Sequence, residues 1–299
     1  MRSPRFLLTL LLLMATPAAI AQGPAPGPLD RGYRLLYNLD FAAAQQEFEG
    51  WQKQHPEDPL GPVSEGAGLL FSEFHRLGIL EAQFYADDKS FEEEKRLPAD
   101  PQVRIRFFAA LGRAESVAKQ QVGKNPNHAG ALLAMALFEG LQADYLALVE
   151  KKNFRSLGHA KKGKAWAAKL LAVDPQNYDA YLATGTYDYI IGSLSAPVRF
   201  LLRFGGHSGD KEKGRYEVMM TAEHGRFLKP FARILLAISY LRDKNTQRAR
   251  ALLAGLRDEF PKNPLFAREI ARLDAGQCAR SRTLCLSGFD CLFSAPCCF

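Results

Sequence analysis

Residues 232–264 read ARILLAISYLRDKNTQRARALLAGLRDEFPKNP. An apolar stretch ends in the polar turn Asp243-Lys244-Asn245, and a second stretch carries Ala249, Leu253 and Leu256 before Pro261 closes it. Apolar residues recurring at three and four positions share one face of a helix. Proline and asparagine after such a run stop it. The segment is therefore a helix–turn–helix hairpin.

The plan recurs along the chain. Gly32 lies in a first helix, Asn38-Leu39-Asp40-Phe41 makes the turn, Ala44, Phe48 and Trp51 follow, and His55-Pro56 closes. KNPNHAGALLAMALFEG (124–140) and AVDPQNYDAYLATGTYDY (172–189) keep the closing turn and the opening of the next helix. Helical spacing also marks Leu69, Leu70, Phe74, Leu77 and Leu80 after Pro62, and Ile105, Phe108 and Leu111 after Pro101. Further helices are expected over 41–54, 128–150, 154–172, 178–192, 212–224, 230–242, 245–258 and 263–274. Strict alternation is almost absent, so the fold is all-α.

This pattern resembles the tetratricopeptide repeat. In that family a small residue of the first helix lets the second approach. It falls here on Gly32, Ala136, Gly185 and Ala237. The matching small residue of the second helix falls on Ala44, Ala114, Gly163 and Ala249, and the closing proline on Pro56, Pro126, Pro175 and Pro261. The prolines are unevenly spaced, and the second-helix aromatic survives only as Phe48. The array is thus degenerate, of three to five units, with long or inserted helices at 61–96 and 193–225. The resemblance implies hairpins stacked into a right-handed superhelix, an α-solenoid whose concave face binds a protein or peptide.

The two ends differ from the body. Arg2 and Arg5, the apolar run Phe6–Met14 and the small-x-small site Ala19-Ile20-Ala21 have the form of a secretory signal peptide over 1–21, cut between Ala21 and Gln22. A Pro/Gly linker, 22–28, precedes the helical domain at 29–275. No further segment reads as long enough to cross a membrane. An exported chain makes nucleic acid a poor partner. The formal charge of +7, two units of which belong to Arg2 and Arg5, suits an acidic partner or an anionic surface. The expected location is periplasmic or extracellular. All five cysteines (Cys278, Cys285, Cys291, Cys297, Cys298) fall in 276–299, which has no helical period. That tail reads either as a segment foreign to the domain, such as a shifted reading frame, or as a disulfide-bonded cap.

Chemistry finds little support. The six histidines are scattered, no H-E-x-x-H or G-x-S-x-G occurs, and no metal set or cofactor motif is present. The loop Phe204–Gly214, FGGHSGDKEKG, lacks the order of a phosphate loop and reads as a helix connection with Ser208 or Asp210 as a cap. Catalytic residues are therefore expected to be none. Two binding candidates stand out. On the helix after Pro175, with Asn177 as its cap and Asp179 in its first turn, the resemblance implies that Tyr178 and Asp188, with Tyr189 close by, face the groove, while Tyr181 and Gly185 pack between helices. Lys151, Arg155, Lys162 and Lys169 form a basic stripe fit for an acidic partner or anionic lipid head groups.

The function expected is an interaction scaffold or adaptor rather than an enzyme. The alternatives are an envelope carrier of a small anionic or lipidic ligand and an enzyme with an unrecognised site. A closed apolar cavity under 61–96 and 193–225 separates the carrier from the scaffold, which calls for an open polar groove.

Overall fold

A computed structural model describes residues 27–82 and 97–286. The expected leader, most of the linker and the last three cysteines lie outside the described residues. Among the described residues helices follow one another almost without a break, and no strand occurs.

The hairpins emerge in order. Pro28 sits in the first turn of α1 (Pro28–Tyr37), where its missing N–H costs nothing. Asp40 then caps α2 (Phe41–Gln54) by accepting from Ala43 N. The α1/α2 pair closes on Gly32, where a Cβ would come within 2.3 Å of the Phe48 ring. α3 (Leu60–Arg76), followed by the short α4 (Ile79–Ala82), pairs with α5 (Pro101–Lys124), which Asp100 caps. α6 (Ala129–Asp144) widens into a π turn at Tyr145–Val149 and pairs with α7 (Asn153–Val173). α8 (Ala180–Ser193) leads through α9 (Ala196–Phe204) to its partner α10 (Lys211–His224), and α11 (Lys229–Arg242) pairs with α12 (Thr246–Glu259). Each hairpin also packs on the next, and α13 (Pro264–Leu286) covers α12.

This order explains the uneven prolines. Pro175 and Pro261 bracket two hairpins, because the α8/α10 unit closes at Gly225 without a proline. Its second small residue is Gly214, so Gly185 meets α10 and not α7. The loop before α10 is the expected helix connection: Gly206 takes φ +70°, and Asp210 caps α10 by accepting from Glu212 N and Lys213 N. Helix α13 runs on through Gly276 to Leu286, which corrects the expected loss of helix at that point. A second correction concerns Ala129–Val149, which is long and apolar enough by composition to cross a membrane. More than half of it is buried, which is the position of a core helix.

The ends of the array meet. Tyr33 stacks on Phe227 with centroids 5.0 Å apart, and Tyr37 Oη donates to Phe227 O at 3.0 Å. Asn263 Nδ2 donates to Tyr37 O, Lys262 N donates to Asn38 Oδ1, and Arg226 makes two 2.8 Å bonds to Asp30. One apolar cluster accordingly joins Leu29, Tyr33 and Leu36 of α1 to Leu236 of α11, Leu253 of α12 and Ile270 of α13. The hairpins stack into the superhelix that the resemblance implies, and its ends come together because the last hairpins cover the apolar face of α1.

Candidate functional site, an apolar cavity ringed by hairpins

The first helix of every hairpin contributes to one cavity of about 530 Å³. Its wall includes Tyr33 and Tyr37 of α1, Phe71 and Phe74 of α3, Leu137 and Leu141 of α6, Leu182 and Tyr187 of α8, and Phe231 and Leu235 of α11. First helices carry two apolar faces because each packs on its own partner and also looks inward. This is why α6 and α8 show so little polar surface along their length. A cavity of this size lies in the ordinary range for sites that hold a small organic molecule.

Few polar groups interrupt the wall. Asp144 lies at the start of the π turn, and burial pushes its carboxyl up to about 7. π turns interrupt the regular ladder of a helix and often mark functional positions. Asp179 also lines the cavity, but its carboxylate accepts from the backbone N–H groups of Arg226, Phe227 and Leu228. It therefore grips the next hairpin rather than its own helix, contrary to the first-turn role expected for it. Asn177 does not cap α8 either; its amide points back to Asp174.

The cationic end of the cavity is Arg215 of α10. Its guanidinium is bonded to Asp243 through Nη2 and lies 5.8 Å from the ring centroids of both Tyr189 and Tyr240. Its Nε is buried without a hydrogen-bond partner. Burial works against the charge of Arg215, and the carboxylate of Asp243 more than restores it. Arg242 lines the same cavity and is exposed, and Ile190 beside Tyr189 is 50% exposed. The cavity thus reaches the surface next to a pair of arginines.

The three expected groove residues do not share one surface. Tyr189 lines the cavity. Asp188 is 3% exposed, with one oxygen 2.5 Å from Lys164 Nζ of α7 and the other 3.5 Å from Lys213 Nζ of α10. An ion pair held this deep fixes three helices together, and its carboxylate has no free side to offer a partner. Tyr178 stacks on Tyr181 and His224 away from the cavity, and its carbonyl accepts from Thr221. Of the basic stripe, Lys151 lies just before α7 and Arg155, Lys162 and Lys169 lie along it; all four are exposed, and Lys169 also lies over Trp166.

Arg215 and Asp144 were not readable as site residues. Each is an ordinary charged residue in a helical run, and only the inward turn of its helix gives it meaning. Among the described residues no cluster of three or more His, Cys, Asp or Glu side chains is arranged to hold a metal ion.

No family model matches the chain, and no curated protein matches it. Solved structures do. A thermophilic TPR protein of Thermus thermophilus is similar at a TM-score of 0.44 and 15% identity, over 82% of this chain and 96% of that one. The repeating hairpins described above define the fold on their own.

Proposed function

We propose that the chain is an exported binding module that holds an amphipathic molecule, an apolar body with an anionic end, in the cavity of its hairpin ring. The observation that carries this reading is a largely apolar cavity of about 530 Å³ with the Arg215 guanidinium at one end. The apolar wall offers a lipid-like chain the transfer free energy of leaving water. A part-buried guanidinium whose Nε–H has no partner then discriminates in favour of a carboxylate or phosphate. This is the carrier alternative of the sequence, and the apolar lining of the cavity supports it over the scaffold, which calls for a polar groove.

The test is titration of the mature chain with a fluorescent long-chain fatty acid and with the corresponding alcohol. Saturable one-site uptake is expected, with the acid bound about tenfold tighter or more, the worth of a charge-assisted hydrogen bond. Saturable uptake of neither probe would remove the reading.

A protein or peptide partner is the second reading. The partly exposed rings of Tyr178 and Tyr181 beside His224 favour it, since none of them lines the cavity and stacked tyrosines suit a peptide wall. The stripe from Lys151 to Lys169 would make that partner acidic. Capture of an acidic peptide that Tyr178→Ala abolishes, and that fatty acid does not displace, would establish it.

A further inference from the structure

The excursion between α8 and α10 carries a helix with almost nothing to pack against. No side chain of α9 is buried. Phe200, Leu201 and Phe204 are 60%, 67% and 79% exposed, and Phe154 at the start of α7 is 88% exposed. Helical spacing places Pro197, Phe200, Leu201 and Phe204 on one side of α9, flanked by Arg199 and Arg203 one turn apart. Phe200 and Phe204 meet edge to face at 5.2 Å, so the ridge is a single apolar surface.

Contacts tie this ridge to α7. Lys161 Nζ donates to Gly205 O at 3.3 Å, and Phe154 lies two turns before Lys161 on the same face. At its other end, Arg199 donates to Gly192 O, which holds α9 against the end of α8. The two segments that bear the ridge carry one sign of charge. No Asp or Glu occurs from Lys151 to Val173, or from Tyr189 to Gly209, while Lys and Arg recur through both segments. The cavity wall lies on neighbouring turns, since Ile190 of α8 and Ser156 of α7 line it while the ridge residues do not.

Charge selects the occupant. A second copy would bring the same basic ground against itself, and like charges repel. An apolar ridge on a basic ground is the pattern of a helix that lies in a membrane interface. We infer that α9 and the start of α7 dock the protein on an anionic lipid bilayer. Phe154, Phe200, Leu201 and Phe204 enter the acyl boundary, and Arg155, Lys161 and Arg203 meet the head groups. This docking does not rest on the carrier reading.

The experiment is co-sedimentation of the mature chain with vesicles of phosphatidylcholine alone and with about one third phosphatidylglycerol. Binding is expected to the anionic vesicles and to fall as salt rises. Phe200→Ser/Phe204→Ser should weaken it at least tenfold. Arg203→Glu should weaken it more than fivefold, since each basic residue near such a surface is worth about a factor of five. Because α9 buries no side chain, the melting temperature of these variants should match the parent, which separates lost docking from lost fold. Equal binding to both vesicle types, or undiminished binding by the serine variant, would overturn the inference. So would a dimer that forms through α9 with no vesicle binding. Fatty-acid uptake measured without vesicles is a separate readout: a chain that sediments with vesicles yet takes up no probe keeps the docking surface and loses the carrier function.

Discussion

A Cβ on Gly214 would lie 2.2 Å from the backbone nitrogen of Tyr189, so α8 and α10 touch main chain against main chain. Gly185 completes the contact, with 2.8 Å between its own built Cβ and Gly214 O. No rotamer change relieves a clash with backbone, so the helices must separate. Gly214→Ala is expected to cost about 1–3 kcal/mol, the range for overpacking a tight interface, and to lower the melting temperature. Gly50→Ala is the control: it meets nothing within 4 Å and should be neutral or slightly stabilising. Equal melting temperatures for the two variants would contradict this contact.

Two bonds that close the ring should differ sharply in worth. Asn263 is buried and reaches Tyr37 O at 2.9 Å, whereas the Arg226–Asp30 pair sits with the arginine 66% exposed. Asn263→Ala leaves a buried carbonyl without its donor and should cost about 1–3 kcal/mol. Arg226→Ala removes a solvated pair and should cost less than about 1 kcal/mol. Urea unfolding of both variants measures the contrast.

Asp144, with its carboxyl buried, should make stability depend on pH. Its carboxyl is raised by burial to about 7 from an ordinary 3.8, so between these values the folded chain keeps a proton that the unfolded chain has lost. Stability from this group therefore declines as pH rises from about 4 to about 7 and is level above that. Asp144→Asn should abolish this component. The variant should match the parent near pH 4 and exceed it by up to about 4 kcal/mol at pH 8. A difference between variant and parent that does not change with pH would refute the placement of the carboxyl.

Filling the cavity should block it without unfolding the chain. Ala183 lines the wall on α8 and is not fully buried, so a larger side chain there can extend into the open space. Ala183→Phe should weaken fatty-acid uptake at least tenfold while the melting temperature changes little. Arg215→Met should weaken the acid and leave the alcohol unchanged, because only the acid carries the charge the guanidinium recognises.

How much of this was legible in the sequence follows from the range of each interaction. The α11/α12 hairpin could be read because its period, turn and closing proline all lie within one short segment. The α8/α10 hairpin was obscured, since α9 interrupts it and Gly225 closes it in place of a proline. Tyr189 was picked out among the aromatic residues of α8, but Asp188 beside it turned out to be locked between Lys164 and Lys213. Adjacent helical positions point in directions about 100° apart, and which direction is inward depends on the neighbours. Ring closure lies furthest from the sequence, because nothing near Tyr37 announces Phe227 or Asn263.

The meeting of Tyr37 with Phe227 and Asn263 also bears on how the chain folds. In an open array each hairpin can settle on its neighbour as it forms, and stability accumulates locally. Here α1 waits with an apolar flank uncovered until residues some 190 and 226 positions later are in place. Such distant pairings are slow to form and leave greasy surface exposed meanwhile. The final step of folding is then also the step that seals the interior, so a chain truncated before α11 would lack not one repeat but the closed molecule.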